Sequence, residues 1–191
     1  MSDIASGMSE SGENILQNSG KLNWYVLHVV SGREDKIVSL IKKKSPENLA
    51  PFIPQKKLKI RKGGAIRESV APFYPGYIFL IGKWNIDEAK PILEIRNVIN
   101  IVGGIKTPGC LTDDEKTLLK KIAKDGLVEY SKVIKEGSKI KVISGPLKEI
   151  EGFIVSVDRR KNRATVSLPL LNSFVKVTLG FEYLEEDNEK S

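Results

Sequence analysis

The chain has 191 residues, 40% of them hydrophobic and 29% charged, with a formal net charge of +7, enough for one ordinary domain or two small ones with a real core. Its single cysteine, Cys110, and single histidine, His28, exclude an internal disulfide framework and a zinc site of the usual Cys/His kind. No apolar run is long enough to span a membrane, no signal-peptide pattern opens the chain, and the basic excess favours a polyanionic partner, either nucleic acid or an acidic protein surface.

Residues 1–20 are rich in Ser, Gly, Asn and Glu and lack apolar periodicity, so they are expected to be disordered, with Met1–Gly7 read as a remnant of the expression vector and Met8 as the natural start. The run Trp24-Tyr25-Val26-Leu27-His28-Val29-Val30 predicts a buried strand, which Ser31-Gly32 breaks. A helix is predicted from Arg33 to Lys44, with Ile37, Leu40 and Ile41 on one face. A basic strand, Lys56–Lys62, turns at Gly63-Gly64 into a return arm from Ala65 to Val70. Ala71-Pro72-Phe73-Tyr74-Pro75-Gly76 interrupts the pattern, and Tyr77–Ile81 is a second buried strand. A short helix spans Asp87–Arg96, with Pro91 expected in its first turn. Val98–Val102 is a strand ended by Gly103-Gly104. Thr112-Asp113-Asp114-Glu115 is a capping box that starts a helix through Ala123, with Leu118, Leu119 and Ile122 inward.

Periodicity weakens from Asp125 to Glu136, which reads as a linker. Short strands follow at Lys139–Ile143, Ile150–Val157, Arg163–Leu168 and Phe174–Thr178, separated by turns at Ser144-Gly145-Pro146, Lys161-Asn162 and Asn172. The expected fold class is α+β: an antiparallel-sheet α/β sandwich over 21–124, a linker over 125–136, a small β-barrel over 137–186 and a disordered tail over 187–191. Most of the barrel's Ile143, Phe153, Ile154, Leu168, Phe174 and Phe181 are expected in its core.

Two local patterns carry a resemblance. Phe73-Tyr74-Pro75-Gly76-Tyr77-Ile78-Phe79, together with Trp24-Tyr25 and Ser31-Gly32-Arg33-Glu34, resembles the signature of the NusG N-terminal (NGN) domain. Glu136-Gly137-Ser138-Lys139-Ile140-Lys141-Val142-Ile143-Ser144-Gly145-Pro146, with Gly152 beyond it, resembles the KOW motif of NusG and some ribosomal proteins. Their order and spacing match that family from about Leu22 to Glu185. The tail Phe174–Glu182 looks closest to specialised LoaP-type paralogs, which implies operon-specific antitermination through a hairpin in the nascent leader RNA.

The resemblance implies a non-catalytic regulator of transcription elongation, a cytoplasmic bacterial monomer with no cofactor, metal or membrane partner. It implies that Trp24, Phe73, Tyr74, Pro75, Gly76 and Tyr77 meet the clamp of RNA polymerase. Alternation along a strand sends about half such rings to the core, and Tyr74 is the expected exposed one. The same resemblance puts Lys56, Lys57, Lys59, Arg61, Lys62 and Arg67 near upstream or non-template DNA. A solvated edge hairpin, shielded from aggregation by lysine, explains those cations equally well. On the barrel and linker, Lys132, Lys135, Lys139, Lys141, Arg159, Arg160, Lys161, Arg163 and Lys176 are candidates for leader RNA, since arginine pairs with phosphate and stacks on unpaired bases. An ordinary charged turn is the competing reading.

Two other functions compete. A general NusG protein would use an exposed apolar barrel face to hold Rho or a ribosomal protein. A metal-dependent nuclease would need converging carboxylates, and the chain has neither such a cluster nor a P-loop. His28 reads as a partly buried strand residue, Cys110 lacks a basic activating neighbour in sequence, and Asp113-Asp114-Glu115 is explained by the helix cap.

Overall fold

The structure, a computed structural model, describes residues 22–44, 48–137 and 139–184. The expectations for 1–20 and 187–191 fall outside the described residues.

The first half runs β1 (Asn23–Val29), α1 (Glu34–Lys44), β2 (Leu49–Phe52), β3 (Gln55–Lys62), β4 (Ala65–Pro72), β5 (Tyr77–Gly82), α2 (Ile86–Leu93), β6 (Val98–Ile101) and α3 (Asp113–Ile122). Four of these strands form an antiparallel sheet in the order β2-β5-β1-β6. Strand alternation gives the sheet two apolar faces. Tyr25, Leu27, Val29, Ile78 and Leu80 pack with Ile37 and Ile41 of α1 and Ala89 and Ile92 of α2. Trp24, Val26, Phe79 and Ile81 belong to the opposite cluster, with Leu119 and Ile122 of α3. This is the expected α+β sandwich. Helix α3 begins with the predicted capping box, Thr112 and Glu115 satisfying each other's backbone N–H groups. Pro91 departs from expectation. Asn85 caps α2 by accepting from the Asp87 N–H, which starts the helix early and leaves Pro91 beyond its first turn.

The β3–β4 hairpin forms around the expected turn, with Gln55 opposite Pro72 and Lys62 opposite Ala65. Gly63 and Gly64 both have positive φ, 61° and 81°, as a two-residue turn between twisted strands requires.

The second half holds β7 (Leu127–Val128), β8 (Ser131–Glu136), β9 (Lys139–Ser144), α4 (Pro146–Glu149), a 3-10 turn at Glu151–Phe153, β10 (Ile154–Asp158), β11 (Arg163–Leu170) and β12 (Ser173–Tyr183). Five of these strands curl into one sheet, β10-β11-β12-β8-β9. The expected linker is corrected here: residues 127–128 pair parallel with β3, and 131–136 are a barrel strand paired with both β9 and β12. Weak periodicity concealed β8 because Lys132, Ile134 and Lys135 alternate with only two fully buried side chains, Ser131 and Val133. The strand expected at Ile150–Val157 begins only at Ile154. Gly145, at φ 91°, directs the chain into a helix started by Pro146, and the Ser131 hydroxyl accepts from the Leu147 N–H at 2.8 Å.

The two halves pack against each other, and one continuous cluster of buried residues runs from Trp24 to Phe181. Strand β3 lies against β12. The Lys59 ammonium pairs with Glu182 at 2.6 Å, the Arg163 guanidinium donates to the Lys59 carbonyl at 2.8 Å, and Lys121 of α3 pairs with Glu149 of α4. Gly180 permits this approach, since a Cβ there would come 2.6 Å from the Tyr130 ring.

Candidate functional site

The aromatic turn is built by a tight reversal. The Tyr77 N–H donates to the Tyr74 carbonyl at 3.1 Å, with Pro75 and Gly76 between them. Gly76 sits at φ 85°, so Pro followed by left-handed Gly makes a type II turn. The Gly76 N–H is held by the carboxylate of Glu34 at 2.7 Å. Glu34 is only 3% exposed and locks the start of α1 onto the turn. Sequence reading treated Glu34 as part of a motif without a role, although its place directly after Ser31-Gly32-Arg33 was a signal.

The ring expectations need correction. Tyr74, expected to be exposed, is buried, with its edge on Phe73 and Phe79. Burial pushes its hydroxyl pKa up, and nearby Glu115 adds to the shift. Trp24 and Phe73 are fully buried, and the Lys120 ammonium of α3 lies 5.9 Å from the Trp24 ring. Three of the four rings therefore lie inside, because α3 covers this face of the sheet. Tyr77 is the partly open ring. It stacks on His28 at 5.1 Å beside exposed Pro75. Tyr77 and His28 are cross-strand partners at the end of the sheet.

The cations of the basic hairpin divide into two groups. Lys56 is 4% exposed and donates to the Phe73 carbonyl at 3.3 Å. Burial, helped by Arg163, lowers its pKa to about 8. Lys57 pairs with Glu129 at 2.9 Å and Glu68 at 3.8 Å. Lys59 pairs with Glu182 and stands 5.6 Å from the Tyr130 ring. These three are corrected as free phosphate ligands. They lie at the base of the hairpin, where β3 is flanked by β4 and β7 and faces the barrel. Arg61 and Arg67, towards the tip, are exposed. The side chain of Lys62 falls outside the described part of the structure.

The barrel cations divide similarly. Lys132 and Lys59 share Glu182 and hold its carboxyl below the usual carboxylate range. Lys141 pairs with Glu136 at 3.0 Å and Lys161 with Asp158 at 3.8 Å, while Arg163 is turned to β3. Lys176 is exposed at the other end of β12, about 20 Å along the strand from Tyr183. Lys135, Lys139, Arg159 and Arg160 come together. With Ile140 and Tyr183 they line an open cleft of about 420 Å³ where the β8–β9 hairpin meets the β10–β11 turn. The Lys135 ammonium sits 5.4 Å from the Tyr183 ring. Sequence reading missed Ile140, Tyr183 and Glu182, because only the fold brings the end of β12 beside both hairpins.

Exposed apolar side chains are also present on the barrel: Phe174 at 67%, Val155 at 54%, Ile143 at 41% and Val157 at 37%. Phe174 and Ile143 are the two of the six residues, most of them expected in the core, that are exposed. The alternation that buries Leu168, Val177 and Phe181 turns them outward. Among the described residues, no helix is long and apolar enough to cross a membrane.

The family model described as transcription termination factor nusG matches residues 22–120. The transcription termination/antitermination protein NusG of Buchnera aphidicola subsp. Baizongia pistaciae is 28% identical over 181 residues, covering 90% of this chain and 100% of its own length. That of Escherichia coli K12 is 25% identical over 180 residues, covering 90% and 99%. Among solved structures, one reported as domain interaction in Thermotoga maritima NusG aligns with a TM-score of 0.52 at 24% identity, covering 85% of this chain and 96% of that one. This last likeness is one of fold.

Proposed function

The chain belongs to the NusG family of transcription termination/antitermination proteins, which are transcription factors and not enzymes, and from that premise we propose that it is a specialised antiterminator. Its N-terminal domain docks on the clamp of RNA polymerase. Its barrel holds a hairpin of the nascent leader RNA. The protein then acts by position, keeping the elongation complex closed against pauses and terminators, with no cofactor.

The observation that carries the RNA half is the cleft, which among the described residues is lined by four cations and one ring and by no carboxylate. Such a lining suits a phosphate chain with a base beside it. The test is a salt titration of binding to a leader hairpin from the chain's own operon, against a scrambled hairpin of equal length. Sequence-dependent binding that survives physiological salt is expected. Equal binding to both with a steep salt slope would reduce the effect to general charge and remove the proposal.

For the polymerase half, the open patch at Pro75, Tyr77 and His28 offers apolar and aromatic area of the kind interfaces use. The exposed hairpin tip at Arg61 and Arg67 lies free to meet upstream or non-template DNA. Tyr77→Ala should weaken capture of core polymerase while leaving the fold intact, and unchanged capture would remove the patch from the interface.

A second reading is favoured by one observation, the exposed Phe174, Val155 and Val157. These suit a general family member whose barrel takes a protein, Rho or a ribosomal protein. Phe174→Ser separates the two readings: loss of capture of Rho or a ribosomal protein is the outcome of the general role, and hairpin RNA binding with no such capture to lose is that of the specialised one.

A further inference from the structure

We infer that the barrel cleft is a pocket for one unpaired nucleotide, with Tyr183 as the stacking platform and Lys139 and Arg160 as the phosphate ligands. The inference rests on the RNA-binding reading above and specifies which part of the RNA is read.

The site is built by two turns held in fixed positions. In the β10–β11 turn, the Asp158 carboxylate accepts from the Lys161 N–H at 3.0 Å, and Asn162 takes the left-handed conformation at φ 52°. The Asn162 carbonyl then accepts from the Phe181 N–H at 3.0 Å. That bond ties the arginine-bearing turn to β12 two residues before Tyr183. On the other side, the Leu184 N–H donates to the Val133 carbonyl at 2.9 Å, so β8 fixes the end of β12 from below. The Tyr183 ring rests with its edge on Phe181 at 5.7 Å, which orients it without covering it.

Charge and shape both favour an unpaired nucleotide over a duplex. Among the described residues, Asp158 is engaged by the turn and by Lys161 and Glu136 by Lys141, so these two carboxylates are paired where they stand. Among the described residues Lys139 and Arg160 are exposed and have no ion pair. The volume, about 420 Å³, falls in the roughly 300–1,000 Å³ range of pockets for single small ligands. A paired helix would present phosphates but no free base face, and would leave the ring unused. In the free protein the Lys135 ammonium occupies a position over the ring. An exposed cation–ring contact is weaker than base–ring stacking, so an incoming base displaces the ammonium, which is then free to meet the phosphate.

The experiment uses the full chain and three probes: a stem-loop RNA with a fluorescent adenine analogue in its loop, a fully paired RNA of the same length, and the deoxy version of the stem-loop. The expected result is quenching of the loop fluorophore on binding and at least a tenfold preference for the stem-loop over the duplex. Tyr183→Leu should abolish that preference and leave the weaker salt-dependent binding. Tyr183→Phe, which keeps the ring and the packing on Phe181, should retain it. Lys139→Gln and Arg160→Gln should each weaken all RNA binding and lower the salt slope by about one. An intact preference in a folded Tyr183→Leu protein, or loop RNA bound without quenching, overturns the pocket while leaving RNA binding by the barrel in place. Failure to bind any RNA overturns the underlying reading and the pocket with it. Equal affinity for the deoxy probe overturns RNA as the occupant.

Discussion

Burial decides what each aromatic side chain around the Pro75-Gly76 turn does. Tyr74 looked like an interface residue in the sequence, yet its ring fills the space under α3. Tyr74→Ala should therefore cost about 3 kcal/mol of stability, the usual range for emptying a buried ring site. Denaturant unfolding measures this, and a loss under 1 kcal/mol would mean the ring contributes little packing. Lys56 makes a pH-dependent contribution. Its folded pKa, about 8, lies below the ordinary lysine value of 10.5, so the unfolded chain binds more protons between those values and stability rises with pH across that window. The Tyr74 and Tyr130 hydroxyls act in the opposite sense: burial raises both, Tyr130 to about 12, and they oppose stability once the unfolded tyrosines ionise above about pH 10. Melting temperature should thus climb from pH 8 towards 10 and then fall. In Lys56→Met the climb should disappear, and a persistent climb would assign it to other groups.

At the level of elements, most of the chain was readable from local chemistry. The Thr112–Glu115 box, the Gly63-Gly64 turn and the strands at Asn23–Val29 and Tyr77–Gly82 form where periodicity and turn residues indicated. Helix α3 has a further role as the cover over Trp24 and Tyr74. Thr112→Ala should cost about 1 kcal/mol and raise amide exchange in the first turn of α3. Protection unchanged from the parent protein would show that tertiary packing alone holds the helix end. Strand β8 and the helix at Pro146–Glu149 were not readable. β8 buries only Ser131 and Val133 fully, and its pairing comes from β9 and from β12, far along the chain.

For the molecule as a whole, the decisive feature is the contact between the sandwich and the barrel. It engages Lys57, Lys59 and Arg163, and Lys132 through the Glu182 it shares with Lys59, while Lys135, Lys139, Arg159 and Arg160 line the cleft. The ion pairs in this contact are partly exposed and individually weak, so close backbone approach at Gly180 carries the fit. Gly180→Val should wedge β12 away from Tyr130. It should enlarge the radius of gyration in solution scattering and split one calorimetric transition into two. An unchanged scattering profile would mean that Tyr130 moves aside and the contact survives.

The sequence alone determined the α+β class and the order of the principal elements, because these follow from periodicity, caps and turn residues that act over a few positions, and its two motifs carried the resemblance to a non-catalytic family. Only the tertiary structure decided which rings and cations remain available. A side chain's exposure depends on what packs over it, and for Tyr74, Lys59 and Tyr183 that neighbour comes from α3, β12 and the β8–β9 hairpin, each distant in the chain and brought close only by folding.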